Sequence, residues 1–176
     1  AQTLRLIVGS HHYRSPIDYN ESLARQIEQS LANIQEFLEK LNLIIGKKSN
    51  LQPPISRFSL EKYEKESTQA MADDLNTPRA LAAIFNLVNE VNKKIWRLDK
   101  NQYLEIKKWL LSKLAIFGIK LPTLKIPKQI KALAAKRELL RNNKQFMPAD
   151  ALRKKINALG YRVEDTPVGP LVLRKN

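Results

Sequence analysis

Cysteine is absent from the 176 residues, and histidine occurs only twice, at the adjacent positions His11 and His12. The first absence excludes disulfides, a thiolate nucleophile and a thiolate metal site. The second leaves no histidine-rich metal site. Lack of disulfides fits a reducing compartment, and the expected location is cytoplasmic. No apolar run reaches the eighteen or so residues that a membrane span needs, so a membrane partner is not expected. The opening stretch Ala1–Gly9 is too short in apolar residues for a secretory leader. A glycine-rich phosphate loop, a His-x-x-x-His pair and a supported Ser/His/Asp set are all missing, so the residues do not describe a self-sufficient enzyme.

What is present is basic charge, unevenly spread. The net charge is +14 and 43% of the residues are hydrophobic, enough for a core. Residues 125–176 hold 13 Lys+Arg against 4 Asp+Glu, while residues 1–124 hold 18 against 13. A basic patch on an otherwise mixed protein is the footprint of a polyanion, either nucleic acid or an anionic surface.

Periodicity predicts helices. Leu23, Ile27, Leu31, Ile34, Leu38, Leu41 and Ile45 recur at helical spacing, with Asn20 as N-cap and Gly46 as stop. Before them, Leu4–Val8 is a short buried segment, strand or helix end. Gly46–Ser59 reads as a loop. Leu60–Asp73 reads as a helix with Tyr63, Ala70 and Met71 available for burial. Asp73-Asp74-Leu75-Asn76-Thr77-Pro78 is an elbow, with Thr77 as N-cap and Pro78 in the first helical position. A helix with Leu81, Ile84, Phe85, Val88, Val91 and Ile95 on one face follows. Another, from Asn101 or Gln102 to Phe117, carries Leu104, Trp109, Leu111 and Leu114. Trp96, Trp109 and Phe85 at such spacing are core residues rather than a cofactor box. Pro122 and Pro127 then mark a linker. Lys128–Asn143 is helical, with a face (Ile130, Leu133, Arg137, Arg141, Lys144) that turns from apolar to basic. A second helix spans Pro148–Leu159, stopped by Gly160. Tyr161–Glu164 and Leu171–Arg174 form a hairpin.

The expected fold is therefore mainly α: an antiparallel helical bundle followed by a small α+β domain built as helix, helix, hairpin. The expected division is 1–19, a bundle at 20–121, a linker at 122–127 and the small domain at 128–176.

Three ordered segments resemble cysteinyl-tRNA synthetases: Leu4-Arg5-Leu6 with His12-Tyr13-Arg14-Ser15-Pro16, then Met71–Leu81, then Arg137, Arg141, Ala149-Asp150, Arg153, Gly160 and Glu164–Gly169. In the second, Ala72 stands where that family has a further acid and Leu75 where it has Phe. The resemblance covers essentially the whole chain. It implies that residues 1–19 are the tail of the stem-contact region and 128–176 an anticodon-binding domain. The parent would ligate cysteine to tRNA(Cys) with ATP. Its nucleotide-binding fold, ATP signatures and zinc ligands would lie upstream of residue 1, and the absence of an initial Met agrees with a fragment. This piece alone is then expected to be inactive, to hold no cofactor or metal, to be a monomer, and to partner tRNA(Cys) and the catalytic domain of the same enzyme.

The resemblance also implies roles. Arg141 donates to a base, Phe146 (often Trp in the family) stacks on one, and Asp150 and Asp165 accept from base amino or imino groups. Arg137, Lys144 and Arg153 complete the expected RNA-binding set, with Arg137 and Lys144 on the backbone. Gln145 departs from the family pattern and receives no role. From the residues alone, Asp165 could instead initiate a turn, Asp150 could charge a helix N-terminus and Phe146 could be core. His12 is either a phosphate contact or a satisfied histidine. A stand-alone RNA-binding module and a protein-docking helical scaffold remain as alternatives. The scaffold calls for a contiguous apolar patch and no salt-dependent RNA binding.

Overall fold

The computed structural model describes residues 1–47 and 58–175. The loop expected at Gly46–Ser59 falls, from residue 48 to 57, outside them. The chain divides into two compact units, one formed by Ala1–Leu41 with Gln52–Leu121 and one by Asn42–Leu51 with Pro122–Asn176. Among the described residues no helix is long and apolar enough to cross a membrane. The described residues are mainly α, with helices first and a small two-stranded antiparallel hairpin last.

The segment left open between strand and helix is a helix, α1 (Gln2–Gly9), which buries Leu6 and Ile7. Its last residue is so closely covered that a Cβ on Gly9 would lie 3.1 Å from the Phe117 ring and 3.4 Å from Leu81. Any larger side chain there would force a neighbour to give way. α2 (Glu21–Gly46) starts where Asn20 accepts from the Leu23 backbone N–H at 2.9 Å, and Ile27, Leu31, Ile34, Phe37, Leu38 and Leu41 form its buried face.

α3 (Glu61–Ala72) and α4 (Thr77–Lys94) pack as a pair. Asn76, not Thr77, is the N-cap of α4, because its side chain accepts from the Arg79 backbone N–H at 3.2 Å. Pro78 therefore sits one position further in, still within the first turn, where its missing N–H costs nothing. The elbow turns through two successive residues with positive φ, Asp74 at 50° and Leu75 at 53°. A 3₁₀ turn (Ile95–Arg97) leads to α5 (Lys100–Ile116), opened by a capping box between Asp99 and Gln102. Leu104 and Leu111, expected inside, are exposed, and α5 instead buries Tyr103, Ile106, Leu110 and Leu114. Both sets obey the helical period. Tyr103 selects the second, since its hydroxyl donates to the Ile95 carbonyl and turns that face inward. Trp109 is core, whereas Trp96 and Phe85 are half-buried. Its indole N–H donates to Glu64 at 2.6 Å, joined by Lys113 at 2.9 Å, which ties α5 to α3.

The second unit holds α6 (Lys128–Asn142), α7 (Phe146–Ala158), β1 (Tyr161–Thr166) and β2 (Gly169–Arg174). Its core is a small cluster of Ile130, Ala134, Ile156 and Val163, with Ile126, Leu133, Tyr161 and Val172 packed around it. α7 begins two residues before the expected Pro148. Gly160, at φ 83°, reverses the chain from α7 into β1. The strands pair from Tyr161↔Arg174 to Thr166↔Gly169, leaving Pro167-Val168 as a two-residue loop.

Candidate nucleic-acid interface

Register in the small core brings the charged residues together. On α6, Ile130, Ala134, Arg137 and Arg141 fall on one stripe, at i, i+4, i+7 and i+11. On β1, Val163 and Asp165 share a face because side chains alternate. Ile130, Ala134 and Val163 pack as core. The next positions along, Arg137 and Asp165, are thereby placed opposite each other.

Arg137 is 1% exposed. Both terminal nitrogens of its guanidinium donate to Asp165, one to Oδ1 and the other to Oδ2 at 3.0 Å. Its Nε is buried with no hydrogen-bond partner. Asp165 has a side chain 48% exposed, and its Oδ2 also takes Arg141 Nε at 3.3 Å. Arg137 beside it holds the Asp165 carboxyl below its ordinary value of 3.8. Partial burial opposes that, and Arg141 and Arg153 add to it. Arg141 also lies over the Phe146 ring, 5.9 Å from its centroid.

Phe146 is 55% exposed and Met147, beside it, 88%. Neither is core. Their position follows from how α6 ends. Lys144 N–H bonds the Arg141 carbonyl and Gln145 N–H reaches back to Leu140 at 2.8 Å, the Schellman pattern, with Lys144 at φ 59° where glycine is usual. That tight reversal starts α7 at Phe146 and leaves Phe146 and Met147 outside the core. Lys144 is exposed. So are Asp150 and Arg153, on the first turns of α7.

The expected residues thus divide. Arg137, Arg141, Phe146 and Asp165 form one contiguous chain of contacts, with Arg153 near enough to act on Asp165 through its charge. Lys144 and Asp150 stand on the same α6–α7 turn and α7 start without entering that chain. The expectation that Arg137 holds RNA backbone meets a physical obstacle: a guanidinium this buried and already bidentate on a carboxylate does not reach a solvent-side phosphate. Met147 was not singled out from the sequence. A lone Met in a helical window reads as core, and only its exposure marks it.

A second cluster lies in the first unit. Asp74 accepts from the Tyr13 hydroxyl at 2.8 Å and pairs with Arg14 at 3.2 Å and with His12 at 3.8 Å. His12 stacks on Tyr13 with ring centroids 4.8 Å apart. The two acids of the elbow thus take separate partners. Asp74 clasps the His-Tyr-Arg segment, and Asp73 reaches Arg79 at 3.7 Å. Among the described residues no group of three or more His, Asp or Glu could hold a metal ion.

The chain is similar to known proteins over nearly its whole length. Residues 67–122 match the family model described as the DALR domain. The chain is 33% identical over 173 residues to the cysteine–tRNA ligase of Lactobacillus gasseri, covering 96% of this chain and 37% of that protein. It is 28% identical over 176 residues to that of Chlamydia caviae (97% and 37%) and 32% over 179 residues to that of Caldicellulosiruptor saccharolyticus (98% and 38%). The chain spans well under half the length of the curated relatives it matches.

Proposed function

The chain belongs to the cysteinyl-tRNA synthetase family, corresponding to its C-terminal part, and from that premise we propose that it binds tRNA(Cys) and reads the anticodon with the α6–α7–β1 surface of its second unit. The observation that carries this is the joining, on one surface, of an exposed aromatic ring, an arginine and a carboxylate: Phe146, Arg141 and Asp165. Phosphate attraction needs only the cations. Unstacked anticodon bases need an aromatic face to stack on and donors or acceptors for their edges.

In this reading Lys144 and Arg153 supply backbone contacts, Phe146 with Met147 supplies the apolar platform, and Arg141, Asp150 and Asp165 face base edges. The whole family enzyme's ATP-dependent ligation of cysteine is then made specific through this surface. ATP and zinc chemistry belong to other parts of such an enzyme. No step of the ligation is assigned to this chain.

The test is binding of tRNA(Cys) transcripts by the 176-residue chain, with the natural anticodon and with each anticodon base changed, over a range of salt. The expected result is a negative salt slope for all transcripts and a loss of roughly tenfold or more for some base changes. Equal affinities with a normal slope would leave only phosphate attraction. No salt-dependent binding at all would favour a protein-docking scaffold.

A further inference from the structure

We infer that Arg137 is a positioning residue for base recognition: from inside the core it fixes Asp165, Asp165 fixes Arg141, and Arg141, packed against Phe146, is the group that discriminates between bases. This rests on the anticodon-reading proposal and refines it, since it adds Arg137 as the buried group that sets the direction of the readers and makes Asp165 a holder of Arg141.

The accounting of lone pairs leads there. A carboxylate offers about four acceptor positions. Arg137 occupies one on each oxygen of Asp165, and Arg141 Nε stands against Oδ2 as an ion pair at 3.3 Å, crowding its free side. What remains for a base lies beside a second guanidinium, on a group whose charge Arg137 already balances. Arg141 is in the opposite condition. Its Nε is ion-paired with Asp165 and one flank lies over the Phe146 ring, while among the described residues its two terminal nitrogens make no hydrogen bond. A guanidinium held along one edge and open along the other is a pre-oriented two-donor fork, the shape that matches guanine O6 and N7.

Packing alone does not explain Arg137. A buried ion pair is weak evidence for stability, because apolar residues of similar volume often replace one without loss. This one also leaves Arg137 Nε buried and unpaired, which makes the arrangement costlier still. A methionine or leucine would fill the same space between Ala134 and the hairpin. What such a residue could not do is hold the plane of the Asp165 carboxylate, and through it the direction of Arg141.

The experiment uses the full chain and tRNA(Cys) transcripts with each anticodon base changed in turn. The readout is the ratio of affinities between the natural and the changed anticodon, set beside the affinity itself. Arg141→Gln and Asp165→Asn are each expected to reduce that ratio about tenfold, and the double variant to reduce it no further, because both remove one recognition element. Arg137→Met is expected to reduce the ratio by a similar factor while changing affinity for the poorest transcript less than twofold, since a buried charge adds little to phosphate attraction. Arg137→Lys restores charge without the two-pronged grip and is expected to recover only part of the ratio.

If Arg137→Met lowers affinity for every transcript alike with the ratio intact, Arg137 holds backbone and the inference falls. If Arg141→Gln and Asp165→Asn multiply in the double variant, the two are independent readers and it falls as well. Arg141→Gln leaves the Arg137–Asp165 pair in place and Asp165→Asn keeps an acceptor for Arg137, so with folding checked by hydrogen exchange at the hairpin this arm stands even if Arg137→Met does not fold. A wild-type chain that shows no ratio at all removes the anticodon-reading proposal, and this inference with it.

Discussion

Replacing Asp165 by alanine strands a buried cation, and the size of the effect follows from the geometry. Removing one partner of a fully buried pair costs about 3–5 kcal/mol. Arg137 is fully buried, but the Asp165 side chain is 48% exposed, so water entering at its position recovers part of the loss. The expected destabilisation is about 2–3 kcal/mol. For a unit of this size that is on the order of half its total stability and lowers its melting temperature by roughly 10–20 °C. Removing both partners, in Arg137→Met with Asp165→Ala, is expected to restore the unit to within about 1 kcal/mol of wild type, because no charge is left buried. The coupling energy of the cycle is then about 2 kcal/mol. Tryptophan fluorescence would not register it, since Trp96 and Trp109 both lie in the first unit. Native-state hydrogen exchange at the amides of Glu164 and Leu171, opposite each other in a hydrogen-bonded pair of the hairpin, reads the second unit directly. A single variant that loses less than about 0.5 kcal/mol, or a double variant as unstable as the single, would refute the reasoning.

Three further outcomes follow from other contacts. Asp165 is held below its ordinary value of 3.8 by Arg137, so the stability it adds is complete above about pH 4 and is lost as pH falls through the lower folded-state value; the acid limb of a denaturation profile read at the hairpin should flatten in Asp165→Ala. Lys144 occupies a left-handed position at φ 59°, so Lys144→Gly should raise stability by about 0.5–1 kcal/mol while lowering affinity for all tRNA transcripts and reducing the salt slope by about one, measured by denaturant titration and by binding. Asp99 accepts from the Gln102 backbone N–H at 2.9 Å, so Asp99→Ala should cost about 1 kcal/mol, seen as an earlier denaturation midpoint in tryptophan fluorescence.

Most helices were legible because apolar residues recur at the helical period and because their ends carry chemical marks. Asn20, Gly46 and Gly160 stand where such marks are expected, and each ends or starts an element there. Where two phases of the period were both available, the sequence could not choose. On α5, Leu104 and Leu111 look as suitable for burial as Ile106 and Leu110, and a hydrogen bond from Tyr103 to a carbonyl eight residues back decides between them. At the elbow, Asn76 and Thr77 are both good caps, and the backbone's path through Asp74 and Leu75 selects Asn76.

The candidate site divides the same way. Composition by itself determined that the last fifty residues carry most of the excess charge, with an aromatic and isolated acids among the cations, because composition needs no partner to be read. Which of those groups are free was decided only by the tertiary structure. Arg137 and Arg141 are one helical turn apart and alike on paper. The small core of Ile130, Ala134, Ile156 and Val163 sets the register that buries the first against Asp165 and leaves the second at the surface beside Phe146. Burial is a property of what lies opposite, and for Arg137 what lies opposite is a residue 28 positions along the chain.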